Sequence, residues 1–157
     1  MSSQPFMSTV LGSLDSKGRV CIPASYRQIL AAQNTTGVFI CPSFFEGALE
    51  GFGQTVLDTL HARLSTLDPF MSPAHDDAAY AIISRTQLLS TDEQGRVRLP
   101  DPMIAHAGLT EKIVFVGMSQ KFQIWDSERF AAIDAERIAR IKANREREIA
   151  KLARGDG

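Results

Sequence analysis

Long apolar runs, histidine clusters and an excess of basic charge are all missing from this chain. None of its hydrophobic stretches approaches the roughly 20 residues that a membrane-spanning helix requires, so no transmembrane span is expected. The stretch Met1-Ser2-Ser3-Gln4-Pro5-Phe6 has neither the basic start nor the apolar core of a secretory signal, which predicts a cytoplasmic protein. Only two cysteines occur, Cys21 and Cys41, with no CxxC spacing and no histidine cluster beside them. That pattern signals neither a metal site nor a disulfide framework, and both thiols read as small hydrophobes on strands. His61, His75 and His106 are equally scattered, and His75-Asp76-Asp77 falls where a helix should begin, where acidic side chains suit the positive end of the helix dipole. With no nucleophile elbow, no phosphate-cradling glycine loop and no metal-ligand spacing, the chain is not expected to be an enzyme or to need a cofactor. The 17 Lys and Arg against 18 Asp and Glu give a net charge of −1, whereas DNA-binding domains are usually basic. Any contact with DNA must therefore come from a few arginines gathered on one face.

What is present is a repeat. Asp15-Ser16-Lys17-Gly18-Arg19-Val20-Cys21-Ile22-Pro23 returns 77 residues later as Asp92-Glu93-Gln94-Gly95-Arg96-Val97-Arg98-Leu99-Pro100, and the same offset aligns Thr9 with Thr86 and Leu11 with Leu88. An Asp three residues before a Gly, between apolar segments, predicts a tight turn: the carboxylate accepts backbone N–H groups and the glycine takes the positive-φ position. Arg19 and Arg96 then leave the turns. Period-two alternation points Val20, Ile22, Val97 and Leu99 inward, with Cys21 and Arg98 outward. Pro23 and Pro100 end the strands and suit the start of a helix.

With 44% hydrophobic and 22% charged residues, the 157-residue chain has a globular composition and room for two small units sharing a core. Thr9 to Leu14 reads as a strand that the first turn sends back as Val20 to Ile22. A short helix follows with Tyr26, Ile29 and Leu30 on one side, then a strand at Val38 to Cys41 and a return strand around Ala48 to Phe52, weakened by Gly47, Gly51 and Gly53. Leu57, Leu60, Leu64 and Leu67 give one apolar helical face, broken by Asp68-Pro69-Phe70-Met71-Ser72-Pro73, and a second helix carries Ala78, Ala79, Ile82 and Ile83. In the second half, Asp101 is the expected helix cap, Pro102 the first helical position and Gly108 the stop. Ile113 to Val116 and Phe122 to Trp125 bracket a turn at Ser119-Gln120. From Ser127 to Arg154 neither Gly nor Pro interrupts the chain, which predicts one long helix whose charged end is either a solvated face or a binding arm.

Two copies of Asp-x-x-Gly-Arg-Val-x-[Ile/Leu]-Pro, each followed by a short helix and a hydrophobic hairpin, resemble the MraZ family of bacterial transcriptional regulators, and the stretch from Ile113 to Trp125 is similar to that family's most recognisable segment. The resemblance runs from about Thr9 to about Phe130. It implies an α+β, mainly β fold: a pseudo-symmetric barrel of swapped hairpins from two SpoVT/AbrB-like repeats, at 8–55 and 86–129, with a helical connector at 56–85 and a charged C-terminal helix and tail at 130–157. It also implies a nucleoid-associated, ring-forming homo-oligomer that binds repeated operator elements in double-stranded DNA and represses the division and cell-wall gene cluster. The family signature falls on Asp15 and Arg19 and on Asp92 and Arg96, with Lys17 in the usual basic place and outward-facing Arg98 completing the DNA-binding set. Glu93-Gln94 departs from the pattern by placing an acid where lysine is common, so the first turn ranks above the second for DNA contact. Two alternatives stay open. Each Asp–Arg pair could simply bridge its own turn, and the protein could act by sequestering an enzyme partner through its ring surface or its tail.

Overall fold

The computed structural model describes residues 4–155, which form two compact units, one ending at Asp126 and the other beginning at Ser127. The first unit is mixed α and β. Its elements run β1 (Thr9–Ser13), β2 (Arg19–Cys21), α1 (Ala24–Ala32), β3 (Gly37–Pro42), β4 (Leu49–Phe52), α2 (Gln54–Leu64), α3 (Pro73–Ala81), β5 (Gln87–Ser90), β6 (Arg96–Arg98), α4 (Asp101–Ala107), β7 (Lys112–Met118) and β8 (Lys121–Asp126). The second unit is α5 (Ser127–Ala153), a 27-residue helix that matches the uninterrupted run seen in the sequence. At 1.5 Å per residue it is about 40 Å long.

Six strands form one antiparallel sheet in the order β1-β7-β8-β4-β3-β5, while β2 and β6 pair separately. Since β1 and β5, β3 and β7, and β4 and β8 are the equivalent strands of the repeat, this order is palindromic. The halves interleave: β1 of the first pairs with β7 of the second, and β5 of the second with β3 of the first. The sheet is open, with β1 and β5 at its edges, and in this respect the barrel implied by the family resemblance is corrected. The reason lies at the turns, where β1 and β2 share only the single bridge Leu14–Val20, so the expected hairpin does not continue and β2 takes β6 as its partner.

Apolar alternation decides which side of that ladder faces in. Val20, Ile22, Val97 and Leu99 are all buried, in one cluster with Tyr26, Leu30, Met103, Phe115 and Phe122. Burying each such aliphatic side chain contributes about 1.5–3 kcal/mol, enough to hold so short a ladder in place. At the centre of the cluster Tyr26 meets Phe6 edge-on at 5.4 Å and Phe122 at 5.0 Å, and its hydroxyl donates to the Ser8 carbonyl at 2.8 Å.

The return strand expected around Ala48 to Phe52 is present as β4, with Gly51 inside it. Gly51 lies opposite Phe122 in the β4–β8 register, and the Phe122 ring occupies the space a β-carbon at Gly51 would need. The aromatic ring supplies the packing that glycine lacks. The helical connector appears as α2 and α3, and α3 starts as expected: Ser72 Oγ accepts the His75 N–H at 3.2 Å, with Asp76 in the first turn. α4 begins one residue earlier than expected, with Pro100 as the cap and Asp101 and Pro102 already helical, and it stops at Gly108 with φ of 57°. The β7–β8 hairpin closes through Ser119-Gln120, with Ser119 at φ of 72°. Among the described residues, no helix is long and apolar enough to cross a membrane.

Candidate nucleic-acid interface

Each copy of the repeated motif folds into the same turn. In the first, the Asp15 and Arg19 main chains are joined by the Asp15 N–H donating to the Arg19 carbonyl at 2.9 Å, and the Gly18 N–H donates to the Asp15 carbonyl at 3.1 Å. Oδ1 of Asp15 accepts the backbone N–H groups of Lys17 and Arg19, both at 2.9 Å, and Oδ2 accepts from Nε of Arg19 at 2.8 Å. The second turn repeats this: Oδ1 of Asp92 accepts from the N–H groups of Gln94 and Arg96, and Oδ2 from Nε of Arg96, each at 2.9 Å. Gly18 and Gly95 sit at φ of +78° and +82°, the left-handed region expected of them. The Arg19 N–H, followed by the Arg19 guanidinium and the Lys17 N–H, holds the Asp15 carboxyl below its ordinary 3.8, and Arg96 and Gln94 do the same for Asp92. Both aspartates are therefore ionised at neutral pH.

The ladder then places the arginines. Arg19 lies directly opposite Arg98 and Cys21 opposite Arg96, with Val20 opposite Val97 between them. Directly opposed residues share a face, so Arg19, Cys21, Arg96 and Arg98 all lie on the side away from the core. Each turn closes on the other half's strand: the Leu99 N–H donates to the Gly18 carbonyl and the Ile22 N–H to the Gly95 carbonyl, both at 2.9 Å. Among the described residues only Nε of Arg19 and of Arg96 is engaged, and Lys17 and Arg98 have no side-chain partner. The six residues of the expected DNA-binding set, Asp15, Lys17, Arg19, Asp92, Arg96 and Arg98, are thus on or beside this ladder. The expected bridge of Asp and Arg within each turn is present, and because it uses Nε it leaves the terminal nitrogens open.

One neighbour went unnoticed in the sequence. Arg27, on α1, donates from Nε to the Ile22 carbonyl at 3.1 Å and lays its guanidinium over the second turn, where a β-carbon on Gly95 would fall 2.5 Å from Cζ and Nη1. At the equivalent place under the first turn the structure has Ile104, whose Cδ1 lies 3.4 Å from the β-carbon position of Gly18. Extending the 77-residue alignment into the helices sets Arg27 against Ile104, which was the available signal.

A cavity of about 580 Å³ lies elsewhere, between α2, β3, β4 and the tip of the β7–β8 hairpin, lined by Cys41, Phe44, Phe52, Arg63 and the Glu50–Lys121 ion pair of 3.1 Å.

Residues 82–152 match the family model described as "MraZ protein, putative antitoxin-like". The chain is 38% identical over 123 residues to "Transcriptional regulator MraZ" of Xanthobacter autotrophicus, covering 78% of each chain. It is 38% identical over 122 residues to the protein of that name from Parvibaculum lavamentivorans, covering 77% of this chain and 75% of that one. The protein of that name from Gluconacetobacter diazotrophicus is 38% identical over 124 residues, covering 77% of this chain and 78% of that one. Identity at this level over more than three quarters of the sequence, together with the doubled Asp-x-x-Gly-Arg turn, places the chain in the MraZ family of transcriptional regulators.

Proposed function

We propose that the chain is a sequence-specific DNA-binding repressor of the division and cell-wall gene cluster, nucleoid-associated in the cytoplasm and acting as a homo-oligomeric ring on repeated operator elements. The observation that carries this reading is the outer face of the β2–β6 ladder. Arg19 stands directly opposite Arg98, with Arg96 on the same face. Like charges opposed across a ladder lower stability. A face built at that cost is one that an anion relieves, and a two-stranded ribbon fits the major groove of B-DNA. Arg19 and Arg96, held at Nε by Asp15 and Asp92, offer their terminal nitrogens for two parallel bonds to a guanine edge or a phosphate. Lys17 and Arg98 add phosphate contacts, and Lys17 makes the first turn the stronger reader.

A single subunit offers few contacts for a chain of net charge −1, so affinity rests on repetition: tying several modest contacts together raises it by orders of magnitude when operator repeats match subunit spacing. The edge strands β1 and β5, with Leu11 and Leu88 exposed, support assembly, since a head-to-tail contact between different surfaces closes into rings. The palindromic strand order supports an origin in a duplicated swapped-hairpin unit, with repeats at 8–55 and 86–129, the connector at 56–85 and the tail at 130–157 as an accessory.

A mobility-shift titration on the DNA upstream of the gene for this chain, at fixed salt, tests the reading. Arg19→Ala is expected to weaken binding by roughly 5- to 150-fold, the range for one good arginine contact. Equal affinity of variant and wild type would remove the first turn from the binding site. A second reading, sequestration of an enzyme partner, draws support from Phe45 and Phe70, which are 91% and 90% exposed. Regulation that survives Arg19→Ala with Arg96→Ala but is lost on deleting the tail would favour it.

A further inference from the structure

The two turns are built alike but charged differently. Lys17 in the first becomes Gln94 in the second, and Ser16 becomes Glu93. Asp92, Glu93 and Arg96 alone leave the second turn net negative, a poor surface for a phosphate backbone. The structure returns the missing charge from the other half of the chain, because the Arg27 guanidinium lies against Gly95 and is fixed there by its Nε bond to the Ile22 carbonyl. Nε is its engaged nitrogen, and among the described residues Arg27 has no carboxylate partner. Under the first turn, which has its own lysine, the same place is filled by uncharged Ile104. The cation has moved from the tip of the turn to the helix beneath it.

We propose that Arg27 is a DNA-binding residue, the phosphate-contacting cation of the second turn, and that Lys17 and Arg27 play matching parts at the two ends of the ladder. This rests on the reading of the ladder as a DNA-binding face. It also alters the ranking of the turns: with Arg27 counted, the second is no longer net negative. Arginine suits the place, since a guanidinium stays charged when packed against backbone and its planar fork can bond carbonyl and phosphate together.

The experiment compares full-length wild type, Arg27→Ile, Arg27→Gln and Arg27→Lys on the duplex upstream of the chain's own gene, by anisotropy at several salt concentrations, with Arg19→Ala/Arg96→Ala beside them. Arg27→Ile copies the support found under the first turn and removes the charge together with the Nε bond to the Ile22 carbonyl, and Arg27→Gln carries the same expectation should the isoleucine variant not fold. Loss of one phosphate contact flattens the salt slope by about one, so for each engaged subunit the wild-type advantage over either neutral variant should shrink about three- to fourfold between roughly 50 and 200 mM salt, while Arg27→Lys keeps the wild-type slope. Wild-type affinity and slope in the neutral variants, with binding lost in Arg19→Ala/Arg96→Ala, would make Arg27 a structural residue and overturn the inference alone. Wild-type binding by Arg19→Ala/Arg96→Ala as well would overturn the DNA reading itself.

Discussion

Alanine at Gly95 should cost the fold about 1 kcal/mol more than alanine at Gly18, although the two glycines occupy equivalent turns. Both sit at positive φ, +78° and +82°, where a β-carbon costs about 1–2 kcal/mol. At Gly18 the added carbon would meet Ile104 Cδ1 at 3.4 Å and the Leu99 carbonyl at 3.7 Å, ordinary contacts that add nothing further. At Gly95 it would fall 2.5–2.6 Å from Cζ, Nη1 and Nε of Arg27, which must then move and give up the 3.1 Å bond to the Ile22 carbonyl. A bond of that kind contributes about 0.5–1.5 kcal/mol, which sets the difference between the two sites. Urea unfolding of both variants, at one protein concentration so that any self-association contributes equally, reads the difference directly. Repeating the pair in an Arg27→Ala background should erase it. Equal costs in the wild-type background, or a difference that persists without Arg27, would refute the packing of that guanidinium on the second turn.

Three further outcomes follow from the same geometry. Asp15→Asn keeps an Oδ1 acceptor for the Lys17 and Arg19 N–H groups but loses the carboxylate oxygen that holds Arg19 Nε, so DNA affinity should fall although a negative charge has been removed; tighter binding in a mobility shift would show that Asp15 does not aim Arg19. Gly51→Ala drives a methyl group into the Phe122 ring and should destabilise by about 1–3 kcal/mol in urea unfolding, with a smaller cost in a Phe122→Leu background and an unchanged cost if the ring does not fill that space. Burial pushes the Tyr26 phenol up to about 12, so its neutral form favours the fold: that contribution is complete below the ordinary 10.0 and is lost as pH rises toward 12. Circular dichroism across this window should show alkaline destabilisation in the wild type and less of it in Tyr26→Phe.

The turns were legible in the sequence because their chemistry is local. Asp15 and Gly18, or Asp92 and Gly95, fix the conformation through bonds spanning at most four residues, and the alternation of Val20 and Ile22 with Cys21 sets the faces without reference to anything distant. Partner choice was not legible. That β2 takes β6 and not β1 depends on how the whole sheet is shared between the halves, and a strand's own residues do not name its neighbour. The same distance hid the filling of Gly51 by Phe122 and of the Gly95 surface by Arg27, since each needs the chain folded before the two groups meet. The resemblance supplied the family and singled out Asp15, Arg19, Asp92 and Arg96 as a set, but it carried a closed barrel with it, and here β1 and β5 remain edges.

Whether the outer face of the β2–β6 ladder is the DNA-binding surface is tested most directly by one binding measurement. Full-length wild type and Arg19→Ala/Arg96→Ala/Arg98→Ala are titrated against the duplex upstream of the chain's own gene at a single stated salt concentration, with circular dichroism confirming that both are folded. Loss of binding by more than about 100-fold in the folded variant is the expected result, since three arginine contacts are removed from every subunit. A folded variant that holds the duplex as tightly as the wild type would contradict it and move DNA recognition, if there is any, to another surface of the protein.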